Sequence, residues 1–240
     1  MTKIQDLKIK IFADGADLES INKLNSLNYV KGFTTNPTLM RKSGINNYTK
    51  FAKDVLKVVK NKPISFEVFS DDLKEMERQA MEIASWGTNA NVKIPISNSK
   101  GESSVDLIGR LTKQGVLCNV TAIFTIDQLK SVLNILDDES KTFLSVFAGR
   151  IADAGIDPIP IMKKSVQSQK LKPKTSILWA ATREVINIFQ AENIGCQIIT
   201  VPHDLINKLS NIGKSLETLS LETVSKFYSD AKAAKYSIKY

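Results

Sequence analysis

An alternation constrains this chain's fold more than any other feature. Eight short runs rich in β-branched and aromatic residues recur along it: Lys8–Asp14, Val30–Asn36, Ile64–Ser70, Asn91–Ile96, Val116–Phe124, Phe143–Arg150, Thr175–Ala181 and Cys196–Pro202. The stretches between them have helical periodicity. Tyr48–Val59 sets Phe51, Val55, Leu56 and Val59 on one face, Asp71–Trp86 opens with acidic residues that suit a helix N-terminus, and Val105–Gly115 closes on a glycine. Alternation with no Gly/Ser/Pro-rich linker builds βαβ units on a parallel sheet. Eight such units in 240 residues match the size of a closed (β/α)8 TIM barrel. An open doubly wound sheet is the alternative, but its glycine-rich first turn is missing here, where the chain reads ADGAD. The pattern therefore predicts a single α/β barrel domain over residues 1–240, with the residues after about 215 left over as an extra helix and basic tail.

Charge and cysteine usage narrow the function. Thirty-three Lys and Arg against 25 Asp and Glu give +8, which suits an anionic partner. The lysines are scattered through amphipathic patterns with no arginine run or basic-aromatic interleaving, so nucleic acid is not the expected partner. The opening MTKIQDLKIKIF lacks the apolar core of a signal peptide, and no run approaches the ~18 apolar residues of a membrane span, so a cytoplasmic protein is expected. Cys118 and Cys196 sit in apolar runs and read as reduced core thiols. With His203 the only histidine, neither a Ser-His-Asp triad nor a metal centre is expected, and the chemistry rests on Lys, Asp, Glu, Asn, Thr and Arg without a cofactor.

Residues two apart in a strand share a face, and several runs carry polar groups of matching parity where an apolar interior is expected. Lys93 interrupts the apolar stretch Val92–Ile96. Asp14 ends the first run, Asn36 ends the second, and Glu67 sits between Phe66 and Val68. Asn119 pairs in parity with Thr121, and Ser145 with Phe147; Arg150 closes the sixth run and Arg183 follows the seventh. Singly, each has an ordinary reading. Asp14 and Asn36 suit caps, Glu67 and Lys93 a buried ion pair, Thr121 a strand, and the arginines a solvated surface. His203 reads as a surface loop residue and is given no role. Jointly, all lie toward the C-terminal ends of strands, where the loops of such a barrel converge, and burying so many polar groups without a ligand is costly.

These groups permit one chemistry in particular. A lysine shielded from water favours its neutral amine, a nucleophile toward carbonyl carbon that gives a Schiff base. The protonated imine withdraws electrons, so a C–C bond β to it can break, as in a class I aldolase. Cleavage needs a base, and loss of water from the carbinolamine needs an acid/base group; Asp14 and Glu67 are carboxylates available for those roles, with Thr121 able to hold the water.

The motifs FADGAD, GFTTNPTLM, VKIPIS, GVLCNVTAIFTIDQ, SVFAGRIAD and IGCQIITVP, in that order, resemble the transaldolase family, in particular its short subfamily that includes the fructose-6-phosphate aldolases. The likeness runs from about Lys8 to about Asp204. It implies that Lys93 is the Schiff-base lysine, that Asp14 serves C–C cleavage, and that Glu67 holds a catalytic water with Thr121. It further implies that Asn36 and Asn119 bind substrate hydroxyls, that Ser145 and Phe147 flank the substrate, and that Arg150 and Arg183 bind its phosphate. Ala181 departs from the family, standing where a phosphate-contacting serine is usual.

Within the family, fructose-6-phosphate aldolases carry Gln and Tyr where this chain has Glu67 and Phe147. The resemblance therefore implies a transaldolase of the pentose phosphate pathway acting on sugar phosphates, with an aldolase-like lyase as the alternative and a non-catalytic barrel as a third. It also implies a homo-oligomer, in which the segment after Ser215 packs on a neighbour.

Overall fold

The computed structural model describes residues 4–238; Met1–Lys3 and Lys239–Tyr240, part of the N-terminal segment and basic tail read above, lie outside the described residues. After a short 3-10 turn come β1 (Lys10–Asp14), α1 (Leu18–Asn25), β2 (Val30–Thr34), α2 (Pro37–Lys42), α3 (Tyr48–Val58), β3 (Ile64–Glu67) and α4 (Leu73–Ser85). β4 (Ala90–Pro95), α5 (Val105–Lys113), β5 (Cys118–Ile123), α6 (Ile126–Ile135) and β6 (Phe143–Val146) follow. The chain continues through α7 (Ala148–Asp153), α8 (Ile159–Gln169), β7 (Ser176–Trp179), α9 (Ile186–Asn193), β8 (Ile198–Pro202), α10 (His203–Asn207) and α11 (Leu216–Ala233). All eight strands are parallel and pair in sequence order, and β8 returns to β1, closing the barrel.

Local chemistry explains many of the boundaries. Asp17, Asn47, Asp72 and Ser215 each accept a backbone N–H in the first turn of α1, α3, α4 and α11, and Thr125 forms a reciprocal capping box with Gln128. Asn36 belongs to this group: it has left β2 and caps α2, accepting from Leu39 N at 2.9 Å, with Pro37 at the first helical position. The sixth apolar run is shorter as a strand than its sequence suggests. β6 stops at Val146, and Arg150, expected at the strand end, lies inside α7. The β6–β7 connection holds two helices, α7 and α8, the first of them starting within the sixth apolar run.

The main apolar core lies between the strands and the surrounding helices, where the outward strand residues meet helix faces such as Phe51, Ala52 and Val55 of α3. A second, smaller cluster fills the barrel: Phe12, Leu178, Ala180 and Ile198, with Phe143 and Phe147 against it. The Phe12 and Phe143 rings meet edge-to-face, 5.7 Å apart. Residue 32 must be glycine for this packing, because a Cβ there would come within 2.6 Å of the Phe12 ring. Cys118 and Cys196 are buried free thiols, and burial pushes both up to about 12.

The last helix differs from the rest. α11 buries no residue, and Leu221, Val224 and Tyr228, at helical spacing along one face, are 69%, 59% and 70% exposed. Among the described residues no helix is long and apolar enough to cross a membrane.

Candidate active site

A cavity of about 580 Å³ opens at the C-terminal end of the barrel. Asp14, Asn36, Glu67, Lys93, Thr121, Ser145, Phe147, Arg150 and Arg183 all line it. Strand parity and register produce this convergence: Asp14 ends β1, Glu67 ends β3, and Lys93 lies in β4 directly beside Glu67 on one side and Asn119 on the other. Arg150 reaches the cavity from α7 rather than from a strand, and Phe147 as the residue that starts that helix.

Lys93 is buried but not unpaired. Its Nζ lies 3.0 Å from Glu67 Oε2 and donates to the Thr35 carbonyl at 3.0 Å. The contact with Glu67 is an ion pair without hydrogen-bond alignment, and Oε2 has no hydrogen-bond partner within the protein. Thr121 Oγ1 is likewise buried with no partner. A buried hydroxyl left without a hydrogen bond costs about 1–3 kcal/mol, so Thr121 Oγ1 is a group the fold alone does not account for. β5 is irregular just past Thr121: its pairing with β6 shifts register, and Ala122 takes a left-handed backbone at φ 60°. Bulges of this kind re-aim neighbouring side chains.

Asp14 accepts a hydrogen bond from Thr34 Oγ1 at 2.8 Å. Burial raises its pKa above the ordinary carboxylate value, opposed by the Lys93 charge and then by the Thr34 hydroxyl. Tyr48 steadies the end of β3 by donating to the Glu67 carbonyl at 3.0 Å.

Asn119 is the one expected site residue that does not line the cavity. It is fully buried below, donating to Ser65 Oγ at 2.9 Å and accepting from Ser145 Oγ at 2.6 Å. Its place in this structure is to hold Ser145, which does face the cavity.

At the mouth, Arg183 makes a two-pronged contact with Asp153, 3.0 Å from Nε and 2.5 Å from Nη2. Lys42, not singled out in the sequence, is a third cation lining the cavity besides Arg150 and Arg183. Ala181 adopts φ 60° in the turn after β7, and its carbonyl would sit 1.6 Å from a Cβ at position 149. Only Gly149 lets α7 pack this closely on that turn and bring Arg150 to the same edge as Arg183.

Three more residues were missed. Thr34 and Thr200 line the cavity and share the inward parity of their strands, a signal masked by threonine's ordinary preference for strands. His203 is half-buried at the start of α10 rather than in a surface loop. Its ring lies over Gly15, where a Cβ would meet Nε2 at 2.3 Å, and its Nδ1 is 3.8 Å from Asp17 Oδ2. Burial lowers its pKa against the pull of Asp17 and Asp14.

Among the described residues no group of three or more His, Cys, Asp or Glu side chains is placed to hold a metal ion. The arrangement offers a buried amine, two carboxylates, an unpaired threonine hydroxyl and cations at the rim. In fold, the chain is similar to a dihydrodipicolinate synthase family protein of Coccidioides immitis, with a TM-score of 0.62 at 9% identity over 97% of this chain and 80% of that one. In sequence, it is 32% identical to a protein of Dehalococcoides mccartyi named probable transaldolase, over 95% of this chain and all of that protein. A Thermoanaerobacter protein of the same name is 33% identical over 84% of this chain and 89% of its own length, and one from Methanococcus vannielii 31% over 92% and 97%. Residues 11–239 match the transaldolase/fructose-6-phosphate aldolase family, to which this chain belongs.

Proposed function

We propose that the chain is a transaldolase that moves a dihydroxyacetone unit from a ketose phosphate, such as fructose 6-phosphate or sedoheptulose 7-phosphate, to an aldose phosphate through a Schiff base on Lys93. The observation that carries this reading is the contact of Lys93 Nζ with Glu67 Oε2 at 3.0 Å, on a cavity wall shared with Asp14. Glu67 is placed to take the ammonium proton and release the neutral amine. The amine attacks the ketose C2, and water leaves the carbinolamine with proton transfer through Glu67 and Thr121. Asp14 then removes the C4 hydroxyl proton, the C3–C4 bond breaks, and an aldose departs while the three-carbon enamine stays on Lys93. The acceptor aldehyde is attacked by that enamine, and the steps reverse.

Phe147 favours transfer over release. Its ring brings no proton to the enamine, so capture by a second aldose outruns protonation to free dihydroxyacetone. Arg150 and Arg183 hold the phosphate at the rim, Asn36 and Ser145 the sugar hydroxyls. Buried free thiols suit a reducing compartment such as the cytoplasm. The apolar stripe of α11 suits a homo-oligomeric contact.

Borohydride reduction with fructose 6-phosphate tests the covalent step: a sugar-derived fragment is expected on the peptide containing Lys93, and labelling of another lysine refutes it. Turnover of fructose 6-phosphate is expected to require erythrose 4-phosphate. Equal turnover without that acceptor makes the protein a lyase.

A further inference from the structure

Around Asp14 the hydrogen bonds run in one direction. Thr34 Oγ1 lies 2.8 Å from Asp14 Oδ1 and 2.5 Å from Thr200 Oγ1, and both threonines are buried. A hydroxyl has one hydrogen to give. The carboxylate only accepts, so Thr34 donates to Asp14 and Thr200 must donate to Thr34. The two hydroxyls meet across β1 from its neighbours: Thr34 is the register partner of Asp14 on β2, and Thr200 lies two residues before Pro202, its partner on β8. Thr200 is fixed in turn, because Thr182 Oγ1 donates to its carbonyl at 2.7 Å.

We propose that Thr200 and Thr34 form a positioning relay that fixes the Asp14 carboxylate through Oδ1 and reserves Oδ2 for the substrate's hydroxyl proton. The inference rests on the Lys93 reading with Asp14 as cleavage base. A valine at either position would fill nearly the same volume, so the hydroxyls are not needed to fill space. A buried hydroxyl is costly unless bonded, and each of these finds its partner in the chain that ends on Asp14. The charged and titratable groups acting on Asp14 are Lys93 from β4, Glu67 from β3 and His203 from α10. Among the groups that lower its pKa, the Thr34 hydroxyl follows Lys93.

The test is the pH dependence of kcat/KM for fructose 6-phosphate with erythrose 4-phosphate as acceptor, beside borohydride trapping on Lys93. A base works only when deprotonated, so losing a hydroxyl that favours the carboxylate moves the acid limb upward. Thr34→Val is expected to shift that limb up by about one pH unit and to lower kcat roughly tenfold, with KM and trapping little changed. Thr34→Ser, which keeps the hydroxyl, is expected to restore the wild-type limb. Thr200→Val, one link further away, should shift it in the same direction by less, and gives the readout if Thr34→Val does not fold. A wild-type protein that neither traps nor turns over ketose phosphate overturns the Lys93 reading and the relay with it. Normal wild-type behaviour beside an unmoved acid limb in the valine variants overturns the relay alone.

Discussion

On three strands of the barrel a step of two residues turns an apolar inward side chain into a polar one: Phe12 to Asp14, Phe143 to Ser145 and Ile198 to Thr200. The lower half of the interior is packed like any core, with Phe12 and Phe143 edge-to-face and Leu178 and Ile198 against them. The upper half holds an amine, two carboxylates and several hydroxyls around a cavity. The strand positions are equivalent by parity, so backbone geometry does not explain the contrast; side-chain chemistry does. The apolar half closes the barrel and holds its strands in register. The polar half carries groups whose burial costs stability, including Lys93 and the unpaired Thr121 hydroxyl. Apolar packing and the candidate site's polar groups are thus divided between two layers about one pleat apart.

Substitutions in each layer sharpen the comparison. The largest expected effect is on the polar side: on the proposed mechanism Lys93→Ala is expected to reduce activity to the assay background, and Lys93→Arg to do the same because a guanidinium stays protonated. Thermal unfolding followed by circular dichroism is expected to show both variants still folded with a cooperative transition. A large loss of stability in both would mean that Lys93 belongs to the structural layer. Next is the apolar side. Phe12→Ala empties the plug and is expected to lower unfolding free energy by about 3–5 kcal/mol, read from urea melts. If activity fell while stability held, the division into layers would fail. Smallest is the rim: Arg183→Ala is expected to raise KM for a phosphorylated donor roughly 10–100-fold, the worth of a charge-assisted contact, with stability unchanged because Arg183 is exposed. An unchanged KM would show that the rim does not bind phosphate.

Much of the upper layer was legible because parity is a local property. Lys93 stands out in its apolar run, and Asp14, Glu67, Thr121 and Ser145 sit at inward positions that counting by twos can find. Other residues were not legible in that way. The apolar run through Phe147 gives no sign that β6 stops at Val146 or that α7 follows, packed through Gly149 against the Ala181 carbonyl from another part of the chain. Asn119 has the right parity but sits a layer too low, where Ser65 and Ser145 engage it. His203 read as a loop residue because it follows the last apolar run, whereas its ring rests on Gly15 from the far end of the chain.

The sequence alone determined the eight-fold alternation, and with it a parallel barrel and a set of polar residues facing its interior, because both periodicities are written within a few residues of each position. Only the tertiary structure decided which of those groups meet. The Lys93–Glu67 ion pair depends on the register between β3 and β4. The hydrogen bond between Thr34 and Thr200 joins residues 166 apart. It exists because β8 returns to β1, and closure of the ring, unlike a strand's own alternation, is a property of all eight strands together.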